Sequence, residues 1–335
     1  MKKIIVLIII LCVLIGIFYG VVYRRSTESR SQIHMGTVCE ITMVDFSSSG
    51  RAKAFEDAFR MIKVSEERMS IFDDKSDVMR INKYAFQQPV YVSQDVIFII
   101  EQSIYFSNIT QGAFDITTLP LSRLWGFASQ SRTFPSPDEI KSTLNNIGYH
   151  NIKLGEDEKG KRYIKFDGEG VEIDLGGVAK GYVCDLVVTS LKRNGIKSAL
   201  VNIGGTIFAY GKPLGKKNWT VGIRHPRDSR KINQTVILDE KAISTSGDYE
   251  QFFMHEGKRY SHILDPNSGY PVQDIISVSV IAPSAMVADA LSTGIFVLGV
   301  EEGLLLARRL EGVEAYIVYQ DGNEIKTISS EDIPQ

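Results

Sequence analysis

A chain of 335 residues, 44% of them hydrophobic and 23% charged, is long enough to bury a core and has the composition of a globular protein. Its net charge of −2 gives no basic excess, so we expect no nucleic-acid partner. The three cysteines, Cys12, Cys39 and Cys184, have no CxxC spacing and indicate neither a disulfide framework nor a zinc site. Enzymes, binding proteins and scaffolds all remain compatible with these figures.

The N-terminus carries an uncharged apolar run from residue 4 to residue 22, with basic pairs on both sides. As a helix, this run would span roughly 28 Å at about 1.5 Å per residue, close to the thickness of a bilayer core. A cleaved signal peptide is the alternative, but its apolar region is usually shorter and no small-x-small cleavage site follows. We therefore predict a membrane anchor or signal segment over residues 1–25, a polar spacer over 26–34 and one domain over 35–330.

The remaining chain alternates between helical and strand patterns. Helices are predicted over residues 51–69, 94–108, 138–146, 178–194, 284–298 and 301–310. Strands are predicted over 35–43, 171–175 and 275–282, as several short runs between 198 and 263, and as a final hairpin over 315–319 and 324–328. Residues 155–170 are charged and glycine-rich and indicate a hairpin or exposed loop. This mixture predicts a single α+β domain.

The segment 174–181 reads Asp-Leu-Gly-Gly-Val-Ala-Lys-Gly, in which a strand-like run ends, two glycines turn the chain and a helix begins. Helix N-termini present free N–H groups that suit phosphate, and glycines let the backbone approach a ligand closely. Lys180 adds a positive charge. The segment matches neither GxxxxGK[ST] nor GxGxxG, so an ordinary strand-to-helix turn is the alternative to a phosphate site.

Asp289 and Thr293 lie four residues apart in a predicted helix, which places a carboxylate and a hydroxyl on one face. Hard oxygen ligands suit Mg²⁺, which usually takes one or two protein carboxylates and completes its shell with water or phosphate. Alternatively, Thr293 bonds back to the helix backbone and Asp289 faces water.

A third group of polar residues lies in segments 245–249 and 260–266, where His262 precedes an Asp-Pro turn. Loops of this kind often carry functional side chains, although a lone histidine is more often structural. A Ser-His-Asp hydrolase is the alternative for these residues, but the chain has no GxSxG nucleophile elbow.

Taken in order, these segments resemble the FAD:protein FMN transferase family, the ApbE-like flavin transferases. The resemblance rests on Met35-Gly36-Thr37, Met69-Ser70 with Asn82, and the segments 112–117, 124–127, 174–181, 201–205, 245–249, 262–272 and 288–290 with Thr293. It therefore extends from about residue 35 to residue 310. The family implies an α+β transferase domain that uses FAD as substrate with Mg²⁺ and attaches FMN to a threonine or serine of an acceptor flavoprotein.

The resemblance also implies roles for individual residues. The positions that match FAD contacts are Met35, Phe72, Ala113, Phe114, Asp115, Asp174, Lys180 and Ile263. The positions that match Mg²⁺ ligands are Gly177, through its carbonyl, Asp289 and Thr293. The candidates for catalytic proton transfer are His262, beside the flavin, and Asp289, acting through the metal. Three positions depart from the family pattern: Phe72 stands where tyrosine is common, Ile116 where proline is usual, and Thr206 where Asp or Asn is frequent.

The implied reaction is phosphoryl transfer, in which an acceptor hydroxyl attacks the FMN phosphorus and AMP leaves. The implied acceptors include subunits of Rnf- or Nqr-like electron-transfer complexes, and the implied location is the extracytoplasmic (periplasmic) side of the inner membrane. Two other functions stay open from the residues alone: an FAD pyrophosphatase that releases FMN and AMP, and a non-catalytic flavin-binding protein.

Overall fold

A computed structural model describes residues 26–45, 48–129 and 131–331 of the chain. The predicted membrane or signal segment at residues 1–25 lies outside this range. The α-helices of the described residues are α1 (Ser48–Met69), α2 (Asp77–Tyr84), α3 (Gln94–Ile109), α4 (Leu119–Leu124), α5 (Pro137–Leu144), α6 (Ala179–Arg193) and α7 (Ala285–Arg309). A short 3₁₀ helix covers Tyr149–Asn151.

The strands are β1 (Ser26–His34), β2 (Thr37–Asp45), β3 (Ile152–Glu156), β4 (Arg162–Phe166), β5 (Ala199–Ile203), β6 (Thr206–Tyr210), β7 (Trp219–His225), β8 (Asp228–Leu238), β9 (Lys241–Gly247), β10 (Phe252–His255), β11 (Lys258–Ser261), β12 (Ile275–Ala282), β13 (Glu314–Asp321) and β14 (Glu324–Ser329). Eight of them form one sheet in the order β1-β2-β5-β6-β9-β12-β13-β14, and three hairpins (β3–β4, β7–β8, β10–β11) stand beside it. Neighbouring strands in the large sheet pair antiparallel. The expected mixed α+β class is confirmed.

The sheet separates two apolar layers. On one face α6 packs against β5 and β6, α7 packs against β9 and β12, and the two helices pack against each other. On the other face, the β7–β8 hairpin contributes Trp219, Ile223, Val236 and Leu238 to a smaller cluster. Every residue of β12 is buried, which accounts for the apolar run that predicted this strand.

The long helix α7 is apolar enough to cross a bilayer, but half of that apolar stretch is buried inside the protein, so its hydropathy reflects core packing. The sequence predicts two helices here, at 284–298 and 301–310. The structure confirms the break between them, because the helical run of α7 is interrupted at Gly299, whose φ of 81° and ψ of −168° are not helical. Only glycine adopts this backbone without strain.

Two predicted features are wrong. Residues 26–34 were expected to be a spacer, but they form β1, whose Ser26 pairs with Asp45 and whose Ser26 carbonyl accepts a hydrogen bond from Arg51. Residues 171–175 were expected to be a strand, but they form no sheet pairing. The side-chain amide of Asn82 instead bonds both backbone groups of Ile173, and so takes the place of a neighbouring strand.

Candidate functional site

The N-terminal ends of α6 and α7 meet at Gly181. A Cβ atom at this position would lie 2.3 Å from the carbonyl oxygen of Ala285, so a side chain does not fit. The two helices therefore approach each other at the ends where their N–H groups lack partners inside the helix. Side chains from each helix satisfy donors of the other.

Asp185, on α6, accepts hydrogen bonds at the start of α7. Its carboxylate accepts from the backbone N–H groups of Ala285 and Met286, at 2.8 and 2.9 Å, and from the Ser284 hydroxyl at 2.7 Å. Burial raises the pKa of Asp185, and these three donors oppose that rise. Asp185 thus caps the N-terminus of α7, and both of its carboxylate oxygens accept hydrogen bonds from groups of the protein.

Asp289, on α7, accepts hydrogen bonds at the start of α6. Its Oδ2 accepts from the Gly181 N–H at 2.9 Å, and its Oδ1 lies 3.1 Å from the hydroxyls of both Thr206 and Ser244. The residue is only 4% exposed. The alternative that Asp289 is an ordinary helix residue facing water is therefore wrong.

Thr293 lies one turn further along α7. Its hydroxyl lies 3.3 Å from the hydroxyl of Ser246 on β9, which is also 2.8 Å from the hydroxyl of Ser292. The Ser292 hydroxyl donates to the carbonyl of Asp289 at 2.9 Å. Thr293 thus faces the sheet one turn beyond Asp289, in a hydroxyl network that joins α7 to β9.

Gly177 brings the backbone of the glycine turn beside Thr293 and the ring of Phe114. A Cβ atom on Gly177 would lie 3.7 Å from the Thr293 hydroxyl and 3.2 Å from the ring of Phe114, so this turn packs closely against α7 and the Phe114 loop. Within the described residues, no group of three or more His, Cys, Asp or Glu side chains could hold a metal ion. A set with one carboxylate, one hydroxyl and one carbonyl oxygen suits a hard cation such as Mg²⁺ and does not suit zinc.

Lys180 and Asp174 flank the glycine pair. The Lys180 ammonium donates to the Gly176 carbonyl at 2.7 Å and lies 3.9 Å from Asp289 Oδ1. Asp174 Oδ1 accepts from the Gly176 N–H at 2.9 Å. Burial raises the pKa of Asp174, while that N–H and the charges of Lys180 and Arg123 act in the opposite direction. The predicted phosphate segment is thus a charged turn in contact with Asp289.

Asp115 holds the loop that carries Ala113 and Phe114. Its Oδ1 accepts from the N–H and hydroxyl of Thr117, at 2.8 and 2.7 Å, and its Oδ2 accepts from the Tyr149 N–H at 2.8 Å. Burial raises the pKa of Asp115, and these hydrogen bonds counteract the rise. Because both oxygens bind the protein, the side chain fixes the position of this loop.

His262 follows β11, and Ile263 beside it is buried. The ring Nδ1 of His262 lies 3.3 Å from the carbonyl oxygen of Gln251. Burial lowers the pKa of His262 to about 4; the Gln251 carbonyl opposes this shift, and the positive charges of Lys180 and Arg132 add to it. The imidazole is therefore neutral at neutral pH, and the charge of Lys180 contributes to the lowering of its pKa.

Met35 and Phe72 are carried on other parts of the chain. Met35 sits in the β1–β2 turn with a φ of 52°, an uncommon conformation for a residue with a side chain, and its N–H donates to Glu66 at 2.6 Å. Phe72, on the loop after α1, is 80% exposed. Both residues are therefore more exposed than the buried residues around Asp289.

The structure therefore brings several of the predicted site residues close together, whereas Met35 and Phe72 are carried on other parts of the chain. Phe114 and Thr293 both lie beside Gly177, and the Lys180 ammonium lies 3.9 Å from Asp289 Oδ1. A cavity of about 630 Å³ lies near the same segment, lined among others by Asn82, Arg123 and Glu172, and its lining contains none of the predicted site residues.

Several polar groups at this site were missed by sequence reasoning. They are the buried hydroxyls of Ser244 and Ser292, the carboxylate of Glu66 and the carbonyl of Gln251. Thr206 and the segment that holds Ser246 were named from the sequence, but without a role beside Asp289 and Thr293. The one available signal was the pair of serines two residues apart in a predicted strand, which places Ser244 and Ser246 on the same face.

Comparison with known proteins gives a consistent result over nearly the whole described chain. The model of the ApbE family matches residues 35–317. A Treponema pallidum protein named FAD:protein FMN transferase is 32% identical over 327 residues, covering 93% of this chain and 90% of the relative. A Haemophilus influenzae protein of the same name is 31% identical over 304 residues, covering 88% and 87%.

Solved structures show the same similarity. The apo form of the Pseudomonas stutzeri flavinyl transferase ApbE superposes with a TM-score of 0.82 at 31% identity, over 92% of this chain and 95% of that one. The flavin transferase ApbE from Vibrio cholerae has a TM-score of 0.82 at 28% identity, over 92% and 98%.

Proposed function

The chain belongs to the ApbE family, and on that premise we propose that it is an Mg²⁺-dependent enzyme that transfers FMN from FAD to a threonine or serine hydroxyl of an acceptor flavoprotein, releasing AMP. It is a transferase that acts on FAD, because relatives named FAD:protein FMN transferase or flavinyl transferase match it over most of its length. The metal, the residues and the location are the finer parts of the proposal.

The observation that carries the proposal is the contact between the glycine turn and the buried carboxylate. Lys180 lies between the Gly176 carbonyl and Asp289, and Gly177 adjoins Thr293. A pyrophosphate needs positive charge and closely approaching backbone, and this turn supplies both. We assign Lys180 to the phosphates, and we assign Gly177 (carbonyl), Asp289 and Thr293 to the metal.

Bound Mg²⁺ would neutralise charge on the pyrophosphate and make AMP a competent leaving group. The chain's own contribution is to hold the ligand oxygens in place before the substrate arrives. We assign Phe114 to the wall of this site, with Ala113 in the same loop, which Asp115 fixes. Asp174 orients the Gly176 N–H, while Ile263, Met35 and Phe72 are assigned to the flavin.

A threonine hydroxyl is a weak nucleophile, so a base must accept its proton. We assign this role to His262. The Gln251 carbonyl accepts but cannot donate, so a neutral ring carries its proton on Nδ1 and leaves the lone pair of Nε2 free. Because burial keeps the pKa of His262 near 4, the ring is in the accepting form at neutral pH.

We further propose that residues 1–25 anchor the enzyme to the inner membrane, with the domain on the extracytoplasmic (periplasmic) side, where subunits of Rnf- or Nqr-like complexes are the expected acceptors. The apolar run at residues 4–22 supports this proposal. A chain beginning at Ser26, which keeps β1 whole, should be soluble and active, and the full-length chain should sediment with membranes. Full-length protein recovered entirely in the soluble fraction would contradict the anchor.

The transfer itself is tested by incubating the enzyme with FAD, Mg²⁺ and a purified acceptor, followed by intact-mass measurement of the acceptor. The expected result is a mass increment for FMN, lost when the acceptor threonine is changed to alanine or when EDTA is added. Free FMN and AMP without labelled acceptor would indicate a pyrophosphatase. Bound FAD with no turnover would indicate a flavin-binding protein.

A further inference from the structure

A layer of hydroxyl groups lies directly behind the two side chains assigned to the metal. Ser244 and Ser246 are two residues apart on β9, a separation of about 6.8 Å along a strand. Asp289 and Thr293 are four residues apart on α7, a separation of about 6 Å along a helix. The two repeats match, so one strand presents a hydroxyl to each residue, at 3.1 Å for Asp289 and 3.3 Å for Thr293.

The hydrogen bonds around Thr293 have one consistent direction. The Ser292 hydroxyl spends its proton on the carbonyl of Asp289. The 2.8 Å contact between Ser246 and Ser292 must then be donated by Ser246, because each hydroxyl has a single proton. Thr293 therefore donates to Ser246, which leaves the lone pairs of the Thr293 oxygen available to a cation.

The hydroxyls around Asp289 act without adding charge. Thr206 and Ser244 are 2.9 Å apart, and both lie 3.1 Å from the same carboxylate oxygen. Thr206 is fully buried and Ser244 is 2% exposed, so water does not compete for them. Neutral donors hold the carboxylate in one orientation and leave its negative charge for a metal ion.

We propose that Thr206, Ser244 and Ser246 are positioning residues that set the affinity of the site for Mg²⁺ by fixing the orientation of Asp289 and Thr293. This inference rests on the proposed function. Hydrogen-bonding partners of metal ligands orient those ligands, and removing one typically weakens metal binding about 10- to 100-fold.

The test is calorimetric titration of Mg²⁺ into the full chain without FAD or acceptor, followed by turnover measured as a function of Mg²⁺ concentration. Thr206→Val, Ser244→Ala and Ser246→Ala should each raise the Mg²⁺ dissociation constant about 10- to 100-fold, whereas Thr206→Ser, which keeps the hydroxyl, should stay near the wild type. Saturating Mg²⁺ should restore most of the turnover.

The matched control is Ser279→Ala on β12. Ser279 is 1% exposed, and its hydroxyl bonds Thr245, the residue between the two serines of β9. This variant loses a buried hydroxyl pair in the same sheet and should bind Mg²⁺ like the wild type. Wild-type Mg²⁺ affinity in Ser244→Ala and Ser246→Ala, or an equal loss in Ser279→Ala, would overturn the inference alone. A wild-type chain that neither binds nor requires Mg²⁺ would overturn the proposed metal dependence with it.

Discussion

Asp185 on α6 and Asp289 on α7 occupy equivalent places where these two helices meet. Each carboxylate accepts hydrogen bonds at the N-terminus of the other helix. Their donors differ. Two of the three donors to Asp185 are backbone N–H groups, and the third is the hydroxyl of Ser284 at the start of the same helix. Asp289 receives one backbone N–H and two hydroxyls from strands of the sheet.

This difference separates a structural carboxylate from one available to a ligand. A backbone N–H within a helix has a fixed direction, so the hydrogen bonds from Ala285 and Met286 hold the Asp185 carboxylate in place. A hydroxyl rotates and both donates and accepts, so the Thr206 and Ser244 hydroxyls adjust when another group approaches Asp289. Lys180 already places a positive charge 3.9 Å from Asp289 Oδ1, on the side where we propose that the metal ion binds. Equivalent positions in the fold thus serve stability in one case and, by our proposal, chemistry in the other.

The sharpest test of this division is Asp289→Ala. Removing the single carboxylate of the proposed metal site should lower turnover about a thousandfold or more, because a metal-bound transition state gains several kcal/mol from its ion. Initial rates of acceptor labelling measure the effect, and Asp289→Asn, which keeps the shape but not the charge, should be nearly as inactive. Turnover within tenfold of the wild type, with Mg²⁺ still required, would show that the metal lies elsewhere.

The opposite behaviour is expected for Asp185→Ala. This change leaves the donors of Ser284, Ala285 and Met286 without their acceptor, so we expect the free energy of unfolding to fall by about 3 kcal/mol. Urea denaturation of the Asp185 and Asp289 variants compares the two directly. Turnover per folded molecule should stay within a few-fold of the wild type, and an inactive but stable Asp185 variant would reverse our assignment.

Lys180→Met should show an intermediate effect confined to the chemistry. The side chain keeps its length but loses the charge beside Asp289 and the Gly176 carbonyl, so we expect turnover to fall about 10- to 100-fold, equivalent to roughly 1.4 to 2.7 kcal/mol. The melting temperature should change little, because Lys180 is partly exposed. A variant that loses stability but keeps its rate would make Lys180 a structural partner of Asp289.

Much of the fold follows from apolar periodicity, and the errors occur where periodicity carries no information. The predicted helix at 94–108 corresponds to Gln94–Ile109, and the predicted strand at 275–282 is Ile275–Ala282. Strand β1 was missed because it is an exposed edge with a polar sequence, STESRSQIH. The predicted strand at 171–175 has the alternating buried residues of a strand, but Asn82 satisfies its backbone.

The candidate site was predictable where its residues are close in sequence. The spacing of Asp289 and Thr293 places them on one helix face, and the glycine turn before α6 is visible in the sequence. The contact of Asp289 with Thr206 joins residues 83 positions apart, and its contact with Ser244 joins residues 45 positions apart. Such contacts depend on strand order in the sheet, which local patterns do not specify.

The smallest expected effect concerns His262, which lies outside the two-helix junction and tests whether a buried neutral group adds its own pH dependence. Its pKa is lowered by burial to about 4 in the folded chain, from 6.5 for an ordinary histidine. The unfolded chain then binds the extra proton between these values, so His262 contributes stability fully above about pH 6.5 and loses it as the pH falls toward 4. Between pH 7 and pH 6 the loss should be somewhat below 1 kcal/mol. Urea denaturation of the wild type and of His262→Gln at both pH values measures it as a difference, because glutamine does not titrate.

The same low pKa predicts no inflection of kcat/KM near pH 6.5. An equal pH dependence in both proteins, or such an inflection, would show that the folded ring titrates like an ordinary histidine and would contradict the lowering of its pKa by burial.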